Sequence, residues 1–337
     1  MLQLNLYLMR SLKMKSRFKL LLLLQLLFCI FYACDSSSKI EKEIEKIPVN
    51  IKIERFDKKF AELTPQQLPK LKAQYPFLFP QIYSDSIWIA KSQDTLQQQL
   101  NEEVFKKFTD LSELELDIIQ FLKRVKYYFP QVTDPRVITV TSDVDYRNKV
   151  ILSNDLLLIS LDTYLGEKHF FYKDLQQYIT EDLIPSQILP DMAKVYAKQL
   201  QGLPKDRTLL SNMVYYGKEL YLTDLFLPNV SNAAKMGYTE AQWNWVVANE
   251  EEIWRYFIDK QLLYSTDANL ASRFLYPAPF SKFYLEQIDK ESSDRVGQYI
   301  GWRIVDSYMQ NNNVSLQQLL KNDAETIFKN SKYKPAR

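Results

Sequence analysis

Two carboxylates in the second half of the chain, Asp191 and Glu219, are of the type that can carry acid–base chemistry. Glu219 lies within an apolar segment of helical character, and Asp191 follows a proline at the predicted start of another helix. If both side chains converged in a cleft, roughly 5 to 10 Å apart, they could act as the paired acids of a hydrolase do in glycosidases. The favoured interpretation is that Glu219 instead forms a salt bridge with a neighbour such as Lys218 or with an arginine of another helix.

Other catalytic chemistries are excluded by the residues that the chain lacks. Its one histidine, His169, is followed by three aromatic residues and is better explained as structural. A zinc site generally takes two or more histidine or cysteine ligands, so no metal is expected. The glycine-rich motifs of nucleotide-binding proteins and the Gly-x-Ser-x-Gly motif of hydrolases do not occur, and no cofactor is expected.

Cys34 has the clearest chemistry of any residue in the sequence. A basic segment is followed by an apolar stretch from Leu20 to Tyr32, and Ala33 places a small residue directly before the cysteine. This is the pattern of a bacterial lipoprotein signal, in which residues 1–33 are removed and Cys34 becomes the lipidated N-terminus. A transmembrane anchor is the alternative, but the apolar stretch is shorter than the roughly 20 residues that spanning requires.

Removal of this signal changes the charge of the protein. The full chain carries a formal net charge of +2, and residues 1–33 contain five basic residues and no acidic ones, which leaves a mature net charge of −3. Charges of both signs are interspersed, whereas a nucleic-acid partner would require a clustered basic face. With Cys29 in the signal and Cys34 lipidated, no thiol remains for a disulfide.

The elements predicted from periodicity form one α+β domain, predominantly helical with a small sheet, over residues 49–337. Residues 34–48 are polar and are predicted to be a flexible tether, although isoleucines spaced by four and three allow a helix. Strands are predicted within residues 49–56, 136–142 and 149–161. Helices are predicted within residues 94–108, 114–129, 190–200, 209–226, 239–264 and 294–309, with capping boxes at Thr239 and Ser315. Asp94 is predicted to cap the first of these helices, whose buried stripe would include Leu96. The acidic run at 250–252 is predicted to be a solvated face of the helix at 239–264.

Gly297 and Gly301 lie four residues apart inside the last of these long helices. Each glycine in a helix interior costs about 1 kcal/mol relative to alanine, so something must approach that face closely. Tight packing of another helix is favoured, and a groove for a ligand or partner is the alternative. The candidate cleft or partner-binding residues are Asp162, His169, Asp191, Lys218, Glu219, Gly297 and Gly301.

Several segments, in order along nearly the whole mature chain, resemble the GldB family of gliding-motility lipoproteins of Bacteroidota. The segments that carry the resemblance are IERF at 53–56, DSIW at 85–88, SLDTYLG at 160–166, YYGKELY at 215–221, GYTEAQW at 237–243, LLYSTD at 262–267, PFSKFY at 279–284 and RVGQYIGW at 295–302. The resemblance implies a lipid-anchored envelope protein required for gliding, a process tied to type IX secretion. It also implies partners among the gliding and secretion proteins.

The order of elements is also distantly similar to zincin-type peptidases, which carry His-Glu-x-x-His on the first helix after the strands. Here that helix, which begins near Pro190, contains no histidine. The resemblance therefore implies a zincin-like fold without peptidase activity, in which a degenerate peptidase-like cleft binds a partner. A glycan- or peptidoglycan-binding lipoprotein and a carboxylate-based hydrolase remain as alternatives. The expected location is the periplasmic face of the outer membrane.

Overall fold

The structure, a computed structural model, describes residues 39–336. The predicted signal peptide, Cys34 and the first residues of the predicted tether lie outside this range. The chain divides into two units after Val49. In the first unit, residues 39–45 form a helix, α1. The flexible tether predicted for 34–48 is thus replaced over this stretch by the helical alternative, which the isoleucine spacing had indicated.

A small mixed sheet of four strands organises the second unit. Its strands are β1 (Ile53–Arg55), β2 (Arg136–Val140), β3 (Val150–Ser153) and β4 (Leu156–Ser160). They lie in the order β1-β2-β4-β3; β1 and β4 run parallel to β2, and β3 pairs antiparallel with β4 through a tight hairpin. Val137 and Ile138 on β2 are both fully buried, because a central strand is covered on both faces. The predicted small sheet is confirmed.

Helices occupy the segment between β1 and β2. They are α2 (Phe56–Ala61), α3 (Leu68–Gln74), α4 (Asp85–Gln93), α5 (Thr95–Lys107) and α6 (Ser112–Tyr128). The side chain of Asp94 accepts a hydrogen bond from the Gln97 amide and so caps α5, as predicted. Leu96 was expected on the buried stripe of α5, but it lies in the first turn and is exposed.

The rest of the chain is almost entirely helical. Its helices are α7 (Gln177–Thr180), α8 (Ile188–Gln201), α9 (Leu209–Phe226), α10 (Asn232–Met236), α11 (Glu240–Ala248), α12 (Glu250–Asp259), α13 (Asn269–Phe274), α14 (Glu286–Glu291), α15 (Val296–Asn311), α16 (Leu316–Lys321) and α17 (Ala324–Ser331). Both predicted capping boxes are present. Within residues 39–336, no helix combines the length and apolar character needed to cross a bilayer.

The single helix predicted for 239–264 is in fact two, α11 and α12, separated at Asn249. The Asn249 side chain donates a hydrogen bond to the Trp245 carbonyl at 2.8 Å. Such a local side-chain bond to the backbone competes with continuation of the helix. Three glutamates then open α12, where the amino end of a helix favours negative charge. Only part of this acidic run is the solvated face that was expected, because Glu250 is buried.

The long helices α9 and α15 pack against each other through glycines. A side chain on Gly301 would run into the backbone carbonyl of Met213, and one on Gly217 would run into the backbone of Gly301. Gly297 lies against Leu275 and the Phe274 carbonyl. The glycine face is therefore a tight helix contact, and the alternative of an open groove at Gly297 and Gly301 is not what the structure contains.

Candidate functional site

A cavity of about 510 Å³ is lined by eight charged side chains. The loop before β3, the segment around α7, and helices α8, α9 and α15 all contribute to its wall. Its charged lining residues are Arg147, Lys149, Asp182, Asp191, Lys194, Lys198, Glu219 and Arg295, and its tyrosines are Tyr146, Tyr178, Tyr216 and Tyr276. The predicted residues Asp191 and Glu219 thus face the same space.

One face of α8 supplies three of these charges. Asp191, Lys194 and Lys198 follow each other at spacings of three and four, which puts them on one side of a helix. The opposite side, with Met192 and Tyr196, is buried in the core. This amphipathic arrangement fixes α8 between the core and the cavity.

Asp191 lies at the floor of the cavity and is tightly engaged. One carboxylate oxygen contacts the Lys149 ammonium at 2.7 Å and accepts a hydrogen bond from the Tyr164 hydroxyl at 3.0 Å. Lys149 also reaches Asp182 at 3.1 Å. Burial alone would raise the pKa of Asp191, but the charges of Lys149 and Lys194 outweigh it and hold the pKa below its usual value. Asp191 is therefore an ionised member of a fixed network.

Glu219 differs from Asp191 in having no close partner for one oxygen. Its side chain is 3 % exposed, and Oε2 makes no hydrogen bond with any residue in the described part of the chain. The nearest cation is the Lys198 ammonium at 4.0 Å. Burial raises the pKa of Glu219, against the opposing charges of Lys198 and Lys194. The predicted salt bridge with Lys218 is wrong, because that lysine points elsewhere.

Arg295 lines the cavity at the start of α15. It adopts a left-handed backbone conformation with φ of 50°, and its guanidinium pairs with Asp294 at 3.0 Å. The same group donates hydrogen bonds to the carbonyls of Met236 and Gly237. These contacts neutralise Arg295 and join the start of α15 to the end of α10.

Asp162 serves the cavity indirectly. It is fully buried, and its carboxylate accepts hydrogen bonds from the amides of Ser142 (3.0 Å) and Val144 (2.7 Å). Burial raises the pKa of Asp162 to about 6, although the hydrogen bonds from those amides favour the ionised carboxylate and act to lower it. The loop that Asp162 fixes carries Tyr146 and Arg147 to the cavity rim, so this residue positions the wall and does not line the space.

Two other predicted residues lie outside the cavity. The Lys218 ammonium donates to the carbonyls of Asn322 at 2.7 Å and Leu320 at 3.3 Å, and burial lowers its pKa to about 8. His169 contacts Glu103 at 3.2 Å and stacks on Phe171. Lys218 thus ties α9 to the end of α16, and the surroundings of His169 agree with the structural role expected from the sequence.

Sequence reasoning missed the cations of the cavity. Lys194 and Lys198 carried a detectable signal, since they continue the face of α8 that begins at Asp191. Lys149 and Arg295 carried none, because a basic residue next to a strand or before a helix is ordinary in any sequence. Within residues 39–336, no group of three histidine, cysteine or acidic side chains is arranged to hold a metal ion. The absence of bound zinc stays a prediction.

Comparisons with known proteins identify the family to which the chain belongs. Neither the curated proteins nor the solved structures gave a match, so the suggested likeness to zincin-type peptidases stays a prediction. A family model for the gliding motility protein GldB matches residues 37–335. Because this match covers most of the 337-residue chain, the protein belongs to the GldB family of gliding-motility lipoproteins.

Proposed function

We propose that this protein supports gliding as a non-catalytic, lipid-anchored component of the cell envelope, which binds a partner of the gliding and secretion machinery in the cavity. The observation that carries the proposal is the state of Asp191. Its carboxylate is held by Lys149 at 2.7 Å and by Tyr164 at 3.0 Å. A carboxylate fixed in this way is poorly suited to exchange protons with a substrate, whereas a preorganised charged cavity is well suited to binding.

The absence of a zinc-binding motif supports the same conclusion. The helix that follows the sheet region, α8, has lysines at positions 194 and 198, and the only histidine contacts Glu103, away from the cavity. Lysine ammonium groups bring fixed positive charge but are not among the usual zinc ligands. In this proposal, the cavity is a degenerate peptidase-like cleft that retains a binding role.

A carboxylate-based hydrolase is the second candidate, and one observation favours it. Asp191 and Glu219 line one cavity, and their pKa values are shifted in opposite directions, downward for Asp191 and upward for Glu219. Opposed shifts of this kind accompany a division of labour between an ionised carboxylate and a protonated acid. Glu219 would then be the proton donor.

Complementation of a strain that lacks the gene separates the two candidates. The Glu219→Gln variant cannot donate a carboxylic proton, but it keeps the shape of the side chain and an oxygen acceptor. Binding without catalysis predicts that cells with this variant glide, and that cells with Lys194→Gln and Lys198→Gln combined do not. Immunoblots confirm equal protein levels. Loss of gliding in Glu219→Gln alone, with normal protein levels, favours the hydrolase.

The lipid anchor has its own test at Cys34. Replacement by serine removes the acylation site, and without acyl chains the protein loses its main affinity for the bilayer. We expect Cys34→Ser protein to leave the membrane fraction or to remain unprocessed. Retention of a cleaved Cys34→Ser protein in the membrane fraction would contradict the proposed anchor.

The proposed location is the periplasmic face of the outer membrane. Treatment of intact cells with a protease should then leave the protein whole, whereas treatment after the outer membrane has been opened should degrade it. Digestion in intact cells would place the protein on the cell surface instead.

A further inference from the structure

The charges at the floor of the cavity compensate each other. Lys149 lies between Asp182 and Asp191, with contacts at 3.1 and 2.7 Å. Arg295 pairs with Asp294 and donates to two carbonyls. Because these groups already have partners at short distance, they are not free to bind a ligand tightly.

The other three cations of the lining are less closely paired. Lys198 is half exposed and lies 4.0 Å from Glu219, and Lys194 lies 4.0 Å from Asp191. Arg147 stacks on Tyr146 and has no salt bridge with any carboxylate of the described residues. Among the described residues, these three cations of the lining thus have no carboxylate within hydrogen-bonding distance. This arrangement favours an anionic ligand.

Glu219 provides an independent indication that something binds. Its Oε2 atom faces the cavity, is shielded from solvent, and has no hydrogen-bond partner in the described chain. Buried polar atoms in folded proteins nearly always have a partner. A ligand that donates an N–H group would supply the missing one.

We propose that the cavity binds a peptide segment through a carboxylate, which Arg147, Lys194 and Lys198 hold, while a peptide N–H donates to Glu219. This inference rests on the proposed binding role and names the ligand class for it. A carboxylate with an adjacent N–H is found in every acidic residue of a peptide and at its C-terminus. The tyrosines of the wall, Tyr178, Tyr216 and Tyr276, offer apolar surface to the neighbouring side chains.

Simpler ligands satisfy only part of this site. Inorganic phosphate would pair with the lysines and could donate a P–OH to Glu219, but it has no apolar part to lie against the tyrosines. A neutral sugar could stack on the tyrosines, but it would leave the three cations without an anion. A peptide carboxylate meets both requirements, and charge-assisted hydrogen bonds make such contacts strong.

Three synthetic probes test the proposal on the full chain purified in detergent. The first is an N-acetylated, C-terminally amidated hexapeptide with two glutamates. The second has glutamines in their place, and the third is the glutamine peptide with a free C-terminal carboxylate. Isothermal titration at low salt should show binding of the first and not of the second. Binding of the third as well would show that the C-terminal carboxylate suffices.

Matched variants locate the binding. Lys194→Gln combined with Lys198→Gln should weaken binding of the glutamate peptide at least about tenfold, because two charge-assisted contacts are lost. Lys329→Gln is the control, since this exposed lysine pairs with Glu325 outside the cavity. Glu219→Met removes the acceptor oxygen and should also weaken binding, because the peptide N–H would then have no partner in the cavity. Equal melting temperatures establish that the variants are folded.

Three results would overturn the proposal: equal binding of the glutamate and glutamine peptides, no binding of any carboxylate peptide at millimolar concentration, or binding that the lysine changes leave unaltered. Binding of an uncharged oligosaccharide in place of the peptides would point to a glycan site.

If the lysine variants stop gliding while no peptide binds, the ligand class is wrong but the role of the cavity stands. If peptides bind and the lysine variants still glide, the proposed function is wrong instead.

Discussion

Glu219 and Glu250 are both buried glutamates, yet their surroundings differ. Glu250, at the start of α12, accepts hydrogen bonds from the hydroxyls of Tyr299 (2.6 Å) and Tyr333 (2.8 Å). Glu219, on the cavity wall, has one oxygen that makes no hydrogen bond with any of residues 39–336. The two carboxylates are 2 % and 3 % exposed, so burial alone does not separate them. The carboxylate of Glu250 thus holds elements of the helical core together, whereas that of Glu219 could accept a further hydrogen bond.

Gly301→Leu tests how tightly α9 and α15 pack against each other, and it should have the largest effect on stability of the substitutions considered. The leucine side chain would have to enter the backbone of α9 at Met213, so the two helices must separate. We expect the free energy of unfolding to fall by at least about 3 kcal/mol, or the protein not to fold. Denaturant unfolding gives the value, and Gln310→Leu on the exposed side of α15 is the control. A well-folded, stable Gly301→Leu protein would mean that the helix contact is loose.

Lys149→Met tests how much the charge network at the cavity floor contributes to the stability of the fold. This change leaves Asp182 and Asp191 without their shared cation, and an unpaired buried charge is costly. We expect a loss of about 3 kcal/mol, measured by denaturant unfolding. Lys168→Met, at a fully exposed position, should cost almost nothing. A loss as small as that of the control would show that the floor is solvated.

Glu250→Gln and Glu219→Gln make the comparison direct, because the same isosteric change is applied to both sites. In Glu250→Gln, one tyrosine hydroxyl would face an amide NH₂ in place of an oxygen acceptor. We expect a loss of about 1–3 kcal/mol, whereas Glu252→Gln on the exposed side of the same helix should have almost no effect. Unchanged stability of Glu250→Gln would contradict the structural role given to this carboxylate.

Glu219→Gln should have the smallest effect and the opposite sign. Because burial raises the pKa of Glu219, the folded state binds its proton more tightly than the unfolded state, whose glutamate titrates near 4.5. Below about pH 4 the variant and the wild type should be equally stable, since Glu219 is protonated in both states. As the pH rises through the raised pKa, the wild type should lose stability relative to the variant. A variant less stable than the wild type at neutral pH would mean that Glu219 has a cation partner in the fold.

Several parts of the fold were predictable from local sequence. The strands within 136–142 and 149–161, the N-cap at Asp94 and the capping boxes at Thr239 and Ser315 follow from periodicity and from hydrogen bonds between near neighbours. The break at Asn249 was missed because apolar spacing continues across it. The three glutamates that follow it were the available signal, since acidic residues favour the first turn of a helix.

The sequence alone identified the family, and it predicts the lipoprotein signal at Cys34 and the absence of bound zinc, because each depends on residue identity and spacing along the chain. It also placed Asp191 and Glu219 on successive helices. Only the tertiary structure decided that Asp191 and Glu219 line the same cavity. It also decided that Lys149 neutralises Asp191 and that Lys218 points away from Glu219. Such pairings join distant residues, with 42 positions between Lys149 and Asp191 and 104 between Lys218 and Asn322. The environment of a buried charge depends on whichever side chains the fold brings within a few ångströms. Chain order does not encode that proximity.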